Sequence, residues 1–276
     1  MKDVLKRPTI VEGIFYPENP DALSAMIKSG IASIPSVKNK KPFALITPYA
    51  SYLFAKEAFS AAYSQIVGER YDTVIIISPL HKMAFQGIAL TESDYFTSPL
   101  GEIEIDKETN EFLNGYNEEF IYYGEKYHLT EHSIETQLPY ISTVLSRDTK
   151  IVPIIMGEPN TKFTILLSNA IQALIEKGKK EYLVIVTTNL SHNEKYDVAN
   201  EKDKKFVDIL KKMDPDYLAE QLALRQIEAY GGGCVVTLLR IATRLGKDKI
   251  NILKQYNSGD ISDDKLKVEG FISAYI

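Results

Sequence analysis

The chain of 276 residues has one cysteine, no tryptophan and only four histidines. With Cys234 alone, an intrachain disulfide is impossible and a four-cysteine zinc site is excluded. A basic excess is missing as well. Thirty-two Lys and Arg stand against 37 Asp and Glu, a formal charge of −5, which argues against nucleic acid as the main partner. Long hydrophobic runs are also lacking. The longest aliphatic stretches, such as residues 74–77, fall far short of the ~20 residues a membrane span requires, so no membrane partner is expected. The first seven residues lack the apolar segment of a signal peptide, and a cytoplasmic protein is expected. What remains is ordinary globular material, 45% hydrophobic and 25% charged, enough at this length to bury a core without disulfides or a structural metal. Length alone suggests roughly two domains. No composition break, linker, repeat or low-complexity segment divides the chain, so residues 1–276 are expected to form one domain.

Four short apolar segments, 42–47, 73–78, 150–155 and 182–188, read as strands covered on both faces. Helical patterns separate them. Asn19-Pro20 offers an N-cap followed by proline at the first helical position, with Leu23, Met26, Ile27 and Ile31 on one face. Similar stripes run through 55–66, 164–177 and 234–245, the last stopped by Gly246, and Asp214-Pro215 opens a further helix. This alternation predicts a three-layer α/β/α fold with a largely parallel central sheet. Antiparallel additions are expected within 87–106 and in the tail, at 250–256 and 268–275.

In open α/β sheets, ligands bind beyond the carboxyl ends of the strands. This chain places unusual residues there: Tyr49 after the first strand, His81 after the second, Asn189 and His192 after the fourth. A lone histidine is more often a surface or core residue than a functional one, but two at equivalent strand ends point to a shared pocket. The other two lie in His128-Leu129-Thr130-Glu131-His132-Ser133-Ile134-Glu135. If helical, this segment stacks His128 on His132 and Glu131 on Glu135. It then offers a general base with an orienting carboxylate, or metal ligands with outer support. The plainer reading is a helix start capped by Thr130. Tyr230-Gly231-Gly232-Gly233-Cys234 precedes another helix. Its glycines serve either close approach of an anion or substrate, or a tight turn; the usual phosphate-loop signatures are absent. Cys234 reads as a small buried apolar residue.

The run from Glu131 to Tyr140, Glu-His-Ser-Ile-Glu-Thr-Gln-Leu-Pro-Tyr, closely resembles the Glu-His-Ser-Ile-Glu…Leu-Pro signature of the Memo-like family. That family is also called AmmeMemoRadiSam system protein B and is similar in fold to class III extradiol dioxygenases of the LigB type. Further motifs follow in order along nearly the whole chain. Glu12-Gly13-Ile14-Phe15-Tyr16-Pro17 resembles Ala-Gly-x-Trp-Tyr-Pro, and Pro48-Tyr49-Ala50-Ser51-Tyr52 stands for Pro-His-Ala-Gly-Tyr. Ser78-Pro79-Leu80-His81 stands for Gly-Pro-Ser-His, and Ser98-Pro99-Leu100-Gly101 for Thr-Pro-Leu-Gly. Thr188-Asn189-Leu190-Ser191-His192 resembles Ser-Asp-Phe-Cys/Ser-His, and Ser258-Gly259-Asp260 fits the tail.

The resemblance implies a metal held by the histidine of Pro-His-Ala-Gly-Tyr, that of Gly-Pro-Ser-His, and a cysteine from a Cys-Gly-x-Gly-Pro turn. Here those positions carry Tyr49, His81 and Tyr230; Cys234 falls at the proline position, and Asn189 replaces an aspartate. Two readings follow. In one, the pocket persists while its metal centre is lost or weakened, and no cofactor is needed. His81, His132 and His192 with Glu131 and Glu135 then carry acid–base chemistry, Tyr49, Asn189, Tyr230 and Tyr16 wall the pocket, and the occupant is a small molecule or peptide. In the other, His81, Tyr49 and Tyr230, with His192, hold iron or copper in a dioxygenase-like redox enzyme. A tyrosine ligates well only as the phenolate, which its reference pKa near ~10 disfavours without a strongly acidic ion such as ferric iron. A partner-binding scaffold without pocket chemistry is the third class.

Overall fold

The computed structural model describes residues 3–35, 41–158 and 160–276; Met1 and Lys2, which begin the N-terminal stretch considered above, lie outside them. The first half contains β1 (Lys6–Arg7), α1 (Pro20–Ala32), β2 (Ala44–Thr47), α2 (Tyr52–Ser64), β3 (Thr73–Pro79) and β4 (Ile88–Leu90). It continues with β5 (Tyr95–Ser98), β6 (Gly101–Glu104), α3 (Lys107–Tyr116), β7 (Ile121–Tyr123), α4 (Glu125–His128) and α5 (Leu138–Val144). The second half contains β8 (Lys150–Met156), α6 (Thr161–Glu176), β9 (Tyr182–Thr187), β10 (Asn189–Glu194) and α7 (Tyr196–Leu210). It ends with α8 (Pro215–Ala223), α9 (Gly232–Arg244), β11 (Asn251–Asn257) and β12 (Val268–Tyr275).

The central sheet runs β10-β12-β2-β9-β3-β8-β4-β7, with β11 on the other side of β12. Its middle strands β2, β9, β3 and β8 pair in parallel. They are the four apolar segments, and nearly every residue in them is buried, as strands without a solvent face require. Antiparallel strands complete the sheet: β12 joins β2, β10 and β11, and β4 joins β8. A separate three-stranded sheet holds β1, β5 and β6. One apolar layer packs α6, α7, α8 and α9 on one face of the main sheet, and another packs α1, α2 and α5 on the opposite face. This is a three-layer α/β/α architecture with a mixed sheet. Asn19 caps α1, its Oδ1 accepting from the Ala22 N–H at 2.9 Å, and Asp214 does the same for α8. Gly246 follows α9 at φ 70°, the left-handed stop a glycine adopts without strain. Among the described residues, no helix is long and apolar enough to cross a membrane.

The segment 128–135 does not form the single helix considered above. Helix α4 stops at His128, and a 3-10 turn (Glu135–Gln137) leads into α5. The reason is local. The Glu131 carboxylate accepts from the backbone N–H groups of His132 and Ser133, both at 2.9 Å, and this competes with helical bonding. Thr130 caps nothing; its hydroxyl donates to the Lys126 and Tyr127 carbonyls. His128 is therefore separated from His132. It is buried with Nε2 3.1 Å from the Ala89 carbonyl, and burial pushes its imidazole down to about 4.

Asp203 on α7 gives a testable electrostatic consequence. Its carboxylate is buried and accepts from Ser191 N (2.9 Å) and Oγ (3.1 Å), yet burial outweighs these bonds and pushes its pKa up to about 6. The folded pKa thus exceeds the unfolded one. Its contribution is full below the unfolded pKa and is lost as pH rises through about 6. Asp203→Asn should therefore gain stability relative to the parent between pH ~4 and pH ~8, by about 2 kcal/mol in urea unfolding. Parallel pH profiles for the two proteins would contradict this.

Candidate functional site

The site assembles where the parallel strands end. Tyr49 follows β2, His81 follows β3, His132 comes from the loop after α4, His192 lies on β10, Tyr230 immediately precedes the Gly231 cap of α9, and Glu269 lies on β12. Together they line a cavity of about 240 Å³. The His81 ring stacks on Tyr230, with centroids 4.7 Å apart and planes 3° from parallel. Tyr49 meets His81 edge-on at 4.7 Å, and His132 lies 5.1 Å from His81.

Glu131 organises these side chains from behind. Its Oε2 lies 2.9 Å from both the backbone N and Nδ1 of His81, while Oε1 accepts from the Ser133 hydroxyl at 2.6 Å. Burial alone would raise this carboxyl; the hydrogen bonds from His81 and then from the Ser133 hydroxyl work against it, and the carboxyl is held well below its usual range. In the neutral imidazole, a carboxylate at Nδ1 selects the tautomer with the proton there and the lone pair on Nε2. That Nε2 is buried and has no hydrogen-bond partner. Burial lowers the His132 pKa more than Glu131 raises it, so His132 favours the neutral form.

Tyr49 is 5% exposed, and its hydroxyl donates to the Tyr230 carbonyl at 3.2 Å. Burial first, then the charges of Glu269 and Glu131, hold the phenol well above its usual pKa. Asn189 does not supply a charge, but it positions one. Its Oδ1 accepts from Tyr49 N at 3.2 Å, and its Nδ2 donates to Glu269 Oε1 at 2.7 Å. Glu269 also faces His192, whose Nδ1 is 3.8 Å away and whose side chain is 69% exposed.

Glu269 is the residue that sequence reasoning did not find. Its only signal is its place in the tail strand, because the pairing that sets Glu269 opposite His192 joins positions far apart in sequence. Four expected residues do not line the cavity: Glu131 and Asn189 stand behind its walls, and Glu135 and Tyr16 lie elsewhere. Glu135 is fully buried against Arg7 and accepts from Ile10 N, Val11 N and the Tyr16 hydroxyl. Glu135 and Tyr16 thus anchor the N-terminal segment, and they leave the acid–base and wall roles to others. The glycine turn is tight: a Cβ on Gly231 would lie 2.3 Å from the Thr187 carbonyl oxygen. Cys234 is 1% exposed, and burial drives its thiol pKa upward.

His81, Glu131 and His132 present donor atoms within 4.8 Å of one another, the one such group among the described residues. The residues at the three motif positions, Tyr49, His81 and Tyr230, do not fit a divalent ion. Tyr49 is a neutral phenol committed as a donor, and the Glu131 oxygens are already occupied by five donor groups. Of the three motif positions, only His81 offers a buried lone pair without a partner.

A family model described as Memo-like protein matches residues 7–275. A MEMO1 family protein of Sulfolobus acidocaldarius is 32% identical over 275 residues, covering 95% of this chain and 96% of its own. One from Sulfurisphaera tokodaii is also 32% identical with the same coverage, and one from Methanosarcina barkeri is 27% identical over 98% of this chain and 99% of its own.

Proposed function

Because the chain belongs to the Memo-like family, we propose that it retains the family-type pocket with a metal centre lost or greatly weakened. The pocket then serves as a metal-independent binding and acid–base site for a small molecule or peptide. Tyr49 carries this reading: at a position where the motif implies a metal-ligating histidine stands a buried phenol that donates to a carbonyl and resists ionisation. His81 is the working group. Its Nε2 accepts a proton or hydrogen bond from the occupant, while Glu131 on Nδ1 orients the ring and stabilises the imidazolium that forms. Tyr230 and Tyr49 pack against the ring, and His81 lines the cavity with them, so a small side-chain shift would bring Nε2 to the occupant. Such a positioned base contributes about 10²–10⁴-fold to a proton-transfer step.

Elemental analysis of the full chain, purified without an affinity tag, tests this reading. Iron, copper and zinc should together fall well below one ion per chain. Stoichiometric iron with a visible phenolate-to-iron charge-transfer band, lost on Tyr49→Phe, would overturn it and establish a dioxygenase-like ferric site.

A further inference from the structure

Next to the polar cavity lies a second one of about 770 Å³, a size typical of sites for drug-sized ligands. Its walls come from α8, α9 and the ends of β3 and β8, with Leu80, Met156, Leu222 and Val236 supplying apolar surface. His192 and Tyr230 belong to both linings, so the two spaces adjoin across them. Taken as one site across His192 and Tyr230, the pair is bipolar, with an apolar chamber at one end and the imidazole–carboxylate cluster at the other.

The polar end has an acidic lining, with Lys82 outside it but near enough to act on His132. Glu269 lines it, Glu131 lies directly behind His81, and no Lys or Arg is among its lining residues. Glu131 is held by backbone, hydroxyl and imidazole donors, and Glu269 by the Asn189 amide. The larger chamber carries one cation and one acid in its lining, Arg225 and Glu228, and Glu228 is paired with Lys202 at 3.5 Å. The buried Nε2 of His81 has no partner, so it calls for a donor. Tyr49 and Tyr230 also line this end, and aromatic rings are favourable neighbours for a cation.

We propose that this two-part cavity binds a protonated amine with an apolar body, the ammonium group donating to His81 Nε2 near Glu269 and the body filling the chamber. An ammonium has donors and no acceptors, which matches a pole built from a lone pair and carboxylates. A carboxylate head placed beside Glu269 would meet like charge there. The inference rests on the reading of the polar end as free of a tightly held metal.

Calorimetric titration of the tag-free chain with phenethylamine, hydrocinnamate and phenethyl alcohol tests it, since the three share one body and differ only in the head group. The amine should bind at least ~10-fold more tightly than the acid. Glu269→Gln should weaken the amine at least ~5-fold while leaving the alcohol within about twofold, and retained alcohol binding shows that the variant is folded. Ala219→Phe, which fills the chamber, should weaken amine and alcohol alike. Equal or tighter binding of the acid overturns the proposal, as does an amine affinity indifferent to Glu269→Gln or Ala219→Phe. Absence of amine binding in metal-poor protein overturns this inference alone. A stoichiometric metal in the same sample would instead overturn the metal-independent reading beneath it.

Discussion

Replacing Arg7 by alanine should cost about 3–5 kcal/mol of stability, a large share of the ~5–15 kcal/mol typical of a folded domain. The Arg7 side chain is 1% exposed, and its partner Glu135 is fully buried. One guanidinium serves three acceptors: Nε donates to the His128 carbonyl, one terminal nitrogen to Glu135 and the other to the Glu131 carbonyl. Alanine leaves the Glu135 carboxylate buried without its cation and strips two carbonyls of a donor. Breaking a buried pair in this way costs far more than the pair itself contributes. Arg7→Lys should rescue only part of the loss, because a lysine ammonium is a point charge that cannot match the planar fork. Urea unfolding of the three proteins checks both expectations. A loss below ~1 kcal/mol for Arg7→Ala would show that the N-terminal anchor is dispensable.

The same anchor explains why part of the site was hidden in the sequence. The four central strands were legible because each is a continuous apolar run, and the helix starts at Asn19 and Asp214 because capping is local chemistry. Tyr49, His81 and Tyr230 were legible as neighbours because strand ends and the glycine turn converge on one edge of a parallel sheet. The spacing of His128, Glu131, His132 and Glu135 suggested one helical face. Their actual roles depend on partners distant in sequence: Arg7, 128 residues away, claims Glu135, and Ala89 on β4, 39 residues away, claims His128. Glu269 was missed for the converse reason. Nothing within the tail marks it until β12 pairs with β10 and sets it beside Asn189 and His192.

Restoring the motif should restore metal affinity. Tyr49 and Tyr230 flank His81 with ring centroids 4.7 Å away on each side. Tyr49→His with Tyr230→Cys would place an imidazole and a thiolate beside the unpartnered Nε2, replacing two neutral phenols with ligands that suit a divalent ion. Glu269, held by Asn189, supplies negative charge at the rim. Such a change in the ligand set should raise affinity by at least ~100-fold, more than the 10–100-fold commonly lost when an outer partner is removed. The thiol pKa would fall on coordination, so the gain should grow as pH rises. The most direct measurement is a zinc titration of the parent and the double variant side by side, with folding verified by circular dichroism. A metal-poor parent predicts weak, substoichiometric zinc binding, with one ion held tightly in the variant. Tight one-to-one binding in the parent, unchanged or weakened in a folded variant, would contradict the claim that Tyr49 and Tyr230 have cost this pocket its metal.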